Sequence, residues 1–278
     1  MYLVTGATGS VGRTAVDLLL AEGYKVVAVT RDPSRSELPG EAQVVAGDPS
    51  KPETLALNGV EAILLAPRTV RFATAELLSL AAAHGVGRVV VLSAATVEYP
   101  VGLPRFREHF RSVEADAKAS GLEWTFLRST DYAANTMAWA PQVRAGNVVR
   151  GAYGGAATST VHERDVAAAA VRALVDPGHA GRSYVLTGSE SLSQYDKVRL
   201  LGEAIGKDLT FVELPPEQVH EAMLAQGLPA DVPERLLGSL ADYAVQAGPT
   251  SHDVEKVLGR SALTFAQWAA EHAGAFRD

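Results

Sequence analysis

The chain has 278 residues, 47% hydrophobic and 21% charged, enough for two ordinary domains or one large α/β unit with an appended lobe. It carries 25 basic against 32 acidic residues, a net charge of −7 with only six lysines, so it has no basic footprint for a phosphate backbone and direct nucleic-acid binding is not expected. Cysteine is absent, which excludes disulfides, thiolate nucleophiles and cysteine-ligated metals, and no apolar run nears the roughly 18 residues of a membrane span. With no leader-like pattern before its first strand-like run, the expected place is the cytoplasm, away from membranes.

Strand-like and helix-like runs then alternate at βαβ spacing. The apolar runs Tyr2 to Thr5, Lys25 to Thr30, Gln43 to Ala46, Ala62 to Leu65, Arg88 to Leu92 and Trp124 to Arg128 suit strands buried on both faces. Helices are predicted at Val11 to Glu22, Phe72 to His84 and Arg105 to Ser120, from apolar stripes at helical spacing. From Tyr132 to Ser159 the pattern loosens around Pro141 and several glycines and reads as a pocket wall of turns. A helix at Arg164 to Val175 and a strand at Ser183 to Leu186 return to the sheet. Helices at Ser193 to Ile205, Pro216 to Gln226, Val232 to Ala247 and Phe265 to Ala273, with a strand at Leu209 to Glu213, build a smaller lobe. The fold predicted is a Rossmann-type, doubly wound parallel α/β sheet with a smaller C-terminal α/β lobe. Residues 1–130 plus about 163–187 form the nucleotide domain, and 131–162 plus 188–278 the substrate-side lobe.

Thr5-Gly6-Ala7-Thr8-Gly9-Ser10-Val11-Gly12 follows the first strand and opens the first helix. Gly6 permits a tight turn, Gly9 a close approach of backbone to pyrophosphate, and Gly12 close packing, while the helix start offers N–H groups from Ala7 to Val11 to the anion. The second strand ends at Thr30-Arg31, where an acidic residue would accept from an NAD ribose. A guanidinium at Arg31, helped by Arg35, instead pairs with a 2′-phosphate and favours NADP (as NADPH). Asp32 is the competing reading, since a shift of one residue places its carboxylate on the ribose. Asp48, after the third strand, is positioned either to accept from an adenine amino group or to cap its own loop.

With those residues in place, the chain resembles the NmrA-like group of atypical short-chain dehydrogenases/reductases. The resemblance rests on Val4 to Gly12, Thr30-Arg31, Val91-Leu92-Ser93-Ala94, Ala119 to Arg128 with its Ser-Gly-Leu-x-Trp-Thr-x-Leu-Arg pattern, and Val161 to Ala167, and runs from residue 2 to about 190. It implies an NADPH-binding Rossmann domain with a cleft against a small lobe. Its members include quinone reductases, reductases of other flat conjugated compounds, and non-catalytic redox sensors that act through a partner protein. One departure is Ser129-Thr130 after Leu127-Arg128, where the group usually has Pro-Gly.

Typical short-chain dehydrogenases use Tyr-x-x-x-Lys, the lysine lowering the tyrosine pKa. No tyrosine here has lysine four residues later, so ordinary alcohol–ketone chemistry is not expected. Ligands in open α/β sheets bind beyond the strands' C-terminal ends, which nominates Ala66, Pro67 and Arg68 after the fourth strand, Ser93 after the fifth, and Ser129 to Tyr132 after the sixth. Tyr132 is the first choice for proton donor or stacking ring. His109 offers an acid near neutral pH or simply sits on a solvated helix face. Tyr132, Met137, Trp139 and Tyr153 outline an apolar slot for a flat substrate, or else a lid core. His162 beside Glu163 and Asp165 is better explained by a helix cap than by a metal, and no metal is expected. The function read from this is NADPH-dependent hydride transfer to a quinone or related conjugated carbonyl, a small flat substrate. An NADP(H)-sensing regulator of a partner protein and a cofactor-retaining isomerase or cyclase are the rivals.

Overall fold

The computed structural model describes residues 1–277. Its strands are β1 (Tyr2–Val4), β2 (Val26–Thr30), β3 (Gln43–Ala46), β4 (Ala62–Leu65), β5 (Arg88–Ala94), β6 (Glu123–Ser129), β7 (Val148–Gly151), β8 (Arg182–Leu186) and β9 (Thr210–Glu213). Its helices are α1 (Ser10–Ala21), α2 (Pro67–Val70), α3 (Thr74–Ala83), α4 (Pro104–Ala119), α5 (Ala140–Ala145), α6 (Glu163–Val175), α7 (Gln194–Ile205), α8 (Pro216–Ala225), α9 (Asp231–Val245), α10 (Asp253–Leu258) and α11 (Phe265–Glu271).

The large sheet runs β3-β2-β1-β4-β5-β6-β8, and every pair in it is parallel. Its central strands can be continuous Val, Ile and Leu because helices cover both faces: Ile63, Leu64 and Leu65 are all fully buried. α1, α6 and α10 pack on one face with Val16, Leu19, Val166 and Val254. On the other, α3 and α4 bring Leu77, Leu78, Val113 and Ala117 against Leu3, Val91 and Phe126. The buried alanines of α6, among them Ala167, Ala170 and Ala173, let it lie close to α1.

Strand order reverses between β1 and β4, so their outgoing loops diverge and open a crevice. Thr5 pins the two ends at that point: its Oγ1 donates to the Leu64 carbonyl at 3.0 Å and accepts from Ala66 N at 2.8 Å.

The small lobe has its own core, in which Val143, Val149, Leu201, Phe211, Phe265, Trp268 and Phe276 meet. Here the structure adds order that local periodicity does not show. The stretch read as turns contains a 3-10 turn (Ala133–Trp139), α5 and β7, and β7 pairs in parallel with β9, some sixty residues later in the chain. Each is four to seven residues long, too short for a helical or strand period to register. A second difference lies at α10, which falls within the span assigned to the small lobe yet packs on the Rossmann core: Val254 is buried there, and Asp253 Oδ2 accepts from Val185 N of β8 at 2.8 Å.

Candidate active site

The glycine loop leaves β1 with Gly6 at φ +66, a left-handed conformation that a side chain resists. A Cβ on Gly12 would lie 2.2 Å from the Gly6 carbonyl oxygen, so the tight contact at Gly12 is with the loop itself. Gly9 caps α1 without any side-chain bond. The N–H groups of Ala7, Thr8, Ser10 and Val11 form no hydrogen bond among the described residues, leaving donors and the helix's positive end directed outward. This backbone cradle fits a pyrophosphate.

Arg31 and Arg35 are exposed beyond the end of β2. Asp32 instead caps the short turn Pro33–Arg35, its Oδ1 accepting from Ser34 N at 3.1 Å and Ser34 Oγ at 2.6 Å. Asp48 does the same one strand over, accepting from Ser50 N at 3.0 Å and Ser50 Oγ at 2.8 Å. Those bonds, with the charges of Arg31 and Lys51, hold its carboxyl below the usual carboxylate range. Both aspartates thus spend one oxygen capping local turns, whereas Arg31 is exposed beside them.

At the C-terminal end of β5, Ser93 enters a buried side-chain network. Ser93 Oγ donates to Glu114 Oε1 of α4 at 2.7 Å. Glu114 is only 3% exposed and is gripped from the other side by Arg128 of β6, with Nε and Nη2 at 2.9 and 2.7 Å from its two oxygens. Arg128 Nη1 reaches Glu98 at 2.9 Å. A bidentate buried pair of this kind fixes the geometry of both side chains. Ser93 is therefore turned inward on this network. Glu114 was not singled out in the sequence because it lies in a run of charges that reads as a solvated face.

Ser129, the last residue of β6, is buried, and Tyr132 follows, bridged in parallel to Val161. Burial pushes the Tyr132 phenol up, partly offset by the Ser129 hydroxyl and by the Arg68 charge, so it is a neutral O–H donor at physiological pH. Ala66 and Pro67 lie against the glycine loop, a Cβ on Gly6 being 3.0 Å from Ala66 Cβ, and Arg68 extends from them into solvent. The half-buried His109 sits edge-on to Phe72 and Phe110, at 6.5 and 5.6 Å between ring centres, with its pKa lowered by burial.

The residues of the expected apolar slot divide between the two cores. Tyr132 packs on the Rossmann core, whereas Met137 and Trp139 pack into the lobe's core, the lid-core reading. His162 itself caps α6, its Nδ1 accepting from Arg164 N at 3.1 Å. Asp165, expected to be the cap, instead binds Arg260 at 2.6 Å and Leu263 N at 2.7 Å. No group of three or more His, Asp or Glu among the described residues is arranged to hold a metal, and no helix among them is long and apolar enough to cross a membrane.

Sequence reading also missed the roof of the cleft. α9 is held over the start of α4 by Asp242, which accepts from Gly102 N at 2.7 Å, and by the Arg105–Glu234 ion pair. This places the Arg235 guanidinium 4.9 Å above the Phe106 ring. In the small lobe, the buried Lys197 donates to Thr158 Oγ1 at 2.8 Å and lies 3.5 Å from Asp131.

Unpaired N–H donors at a helix start, on the switch point of an all-parallel doubly wound sheet, define a dinucleotide-binding protein of the Rossmann class. The family described as NAD(P)H-binding matches residues 6–177, and the chain belongs to that family and binds NAD(P)H. It is 37% identical to a (4-alkanoyl-5-oxo-2,5-dihydrofuran-3-yl)methyl phosphate reductase of Streptomyces griseus and 33% identical to an NAD(P)H azoreductase of Xenophilus azovorans, each match covering 99% of both chains. Among solved structures it superposes on the NADPH complex of an Escherichia coli NADPH-dependent quinone oxidoreductase with a TM-score of 0.83 at 25% identity, covering 98% of this chain and 99% of that one.

Proposed function

We propose that the protein is an NADPH-dependent reductase whose hydride acceptor is a flat conjugated carbonyl compound, an enone or a quinone. The observation that carries this is the lack of any Tyr-x-x-x-Lys, with Tyr132 standing after β6 and Ser93 committed to the Glu114–Arg128 pair. A simple ketone gives an alkoxide that needs a strong acid beside it. An enone or quinone gives an enolate- or phenolate-like oxygen with a conjugate acid near 10, by analogy with tyrosine, for which a neutral hydrogen-bond donor is enough. Tyr132, kept protonated by burial, supplies that O–H. The relatives' names support the reading: the dihydrofuranone ring named for the Streptomyces griseus enzyme carries a C=C flanked by two carbonyls, and the Escherichia coli protein is named for quinones.

The reduced nicotinamide supplies the hydride when bound. The glycine loop holds the pyrophosphate, Arg31 with Arg35 selects the 2′-phosphate, and Tyr132 orients and stabilises the acceptor oxygen. NADPH oxidation followed at the nicotinamide absorbance against quinones, enones and simple ketones tests the reading. Turnover confined to conjugated acceptors is the expected result; turnover of simple ketones alone overturns it, and tight NADPH binding without turnover of any acceptor turns the reading toward a sensor.

A further inference from the structure

Lys197 of α7 is 2% exposed, the single buried lysine among the described residues. Its ammonium donates to Thr158 Oγ1 at 2.8 Å and pairs with Asp131 at 3.5 Å, and burial pushes its pKa down against the pull of Asp131. Desolvating an ammonium for a partner at that distance weakens a fold. Neither partner depends on it: the Asp131 carboxylate is 31% exposed and accepts from Asn135 Nδ2 at 2.6 Å, and Thr158 Oγ1 has the Thr160 hydroxyl at 3.1 Å. A methionine would keep an unbranched apolar stem and shed the cost of burying a charge, so the charge is not there to stabilise the lobe.

What the charge joins is the pair of main-chain strips that carries Tyr132. Thr130 Oγ1 donates to the Ser159 carbonyl at 2.8 Å, Val161 N to the Asp131 carbonyl at 2.8 Å, and Ala133 N to the Val161 carbonyl at 2.9 Å. Residues 130–133 therefore lie along residues 159–161, with Tyr132 bridged to Val161 between them. Lys197 holds a side chain on each strip, Asp131 directly before Tyr132 and Thr158 directly before Ser159. It fastens both to α7, which is started by the Ser193–Asp196 capping box and whose Leu201 sits in the small lobe's core with Trp268.

Resting on the reductase reading above, we propose that Lys197 is a positioning residue for the reaction: its ammonium fixes the turn bearing Tyr132 to the small lobe, so that the phenol O–H meets the acceptor oxygen at one place. It acts through Asp131 and the main chain and touches neither substrate nor cofactor. A hydrogen-bond donor displaced by about 1 Å loses much of its effect on a developing oxyanion, so the tie is read in kcat and not in stability.

The test is Lys197→Met and Asp131→Asn, alone, together and each combined with Tyr132→Phe, in steady-state NADPH oxidation with an enone and in thermal unfolding. Lys197→Met is expected to lower kcat about tenfold, with KM and NADPH affinity within about twofold and no loss of thermal stability. Asp131→Asn, which keeps the side chain's shape and removes its charge, lowers kcat in the same direction, and the pair loses no more than Lys197→Met alone. With Tyr132→Phe already in place, neither substitution lowers kcat further. Unchanged kcat in Lys197→Met, or the same loss with and without the Tyr132 hydroxyl, overturns the proposal. So does a Lys197→Met chain that unfolds or melts earlier in step with its lost activity, which assigns the lysine to the lobe's stability. A wild-type protein that oxidises NADPH with no acceptor removes the reductase reading, and the tie is then read directly in the NADPH-loaded protein labelled with carbon-13 at tyrosine Cζ. The Tyr132 signal, identified by its loss in Tyr132→Phe, is expected to move in Lys197→Met and in Asp131→Asn; a signal that stays in place in both overturns the tie whatever the turnover.

Discussion

The cofactor half of the site and the acceptor half are built by different means. The first is backbone: eight consecutive residues, Thr5 to Gly12, turn so that N–H groups do the binding, and the side chains are small so that nothing obstructs them. The second is side chain: Glu114, Arg128 and Tyr132 arrive from α4, β6 and the segment after β6, and each is positioned by a partner distant in sequence. A backbone site tolerates little change in shape but is indifferent to most chemistry around it. A side-chain site can be retuned one residue at a time, which is how one cofactor frame comes to serve different acceptors.

That contrast can be broken most severely at Glu114. Removing it by Glu114→Ala leaves Arg128 half-buried, with the exposed Glu98 as its remaining acidic partner, and is expected to cost about 3–5 kcal/mol of stability, measured by urea unfolding. A loss under 1 kcal/mol would mean that the acceptor half is not braced by this pair. Next comes Gly12→Ala. Its Cβ meets the Gly6 carbonyl at 2.2 Å, so the loop must move, and NADPH affinity is expected to fall about 100-fold, or roughly 2.7 kcal/mol, by fluorescence titration. Binding within threefold of wild type would show that the cradle is more plastic than a backbone site should be.

Tyr132→Phe sharpens the other side: kcat with an enone is expected to drop about 100-fold, the low end for an oxyanion donor or general acid, with NADPH affinity unchanged. Because burial raises the phenol pKa, the wild-type kcat should be level through neutral pH and decline only as the phenol ionises above pH 10, a limb that the phenylalanine variant lacks. The smallest effect is expected at exposed Arg31. Arg31→Glu should weaken NADPH about 10-fold while leaving NADH binding within twofold; an equal change for both cofactors would remove the 2′-phosphate assignment.

The same division explains what the sequence disclosed. The parallel sheet was legible because buried strands such as Ala62–Leu65 and Val26–Thr30 are nearly continuous apolar runs separated by periodic helices. The glycine loop was legible because its function depends on spacing alone. β7 was not, since Val148–Gly151 is ordered by pairing with Thr210–Glu213, and a contact across sixty residues leaves no local periodicity. Glu114 and Lys197 were hidden for a related reason: each lies in an amphipathic, charged helix where only the tertiary neighbour tells a buried carboxylate or ammonium from a solvated one. Tyr132 was nominated from its place after a strand end, which needs topology but no contacts.

The hydrogen bond from Val185 to Asp253 bears on the outer edge of the large sheet. β8 is the last strand of its sheet, and such a strand offers backbone donors and acceptors to any neighbouring chain. By sending the chain back from the small lobe to lay α10 along it, the protein covers that side with its own residues. A shortened chain ending before Asp253 would uncover a template for edge-to-edge association while leaving the nucleotide cradle whole.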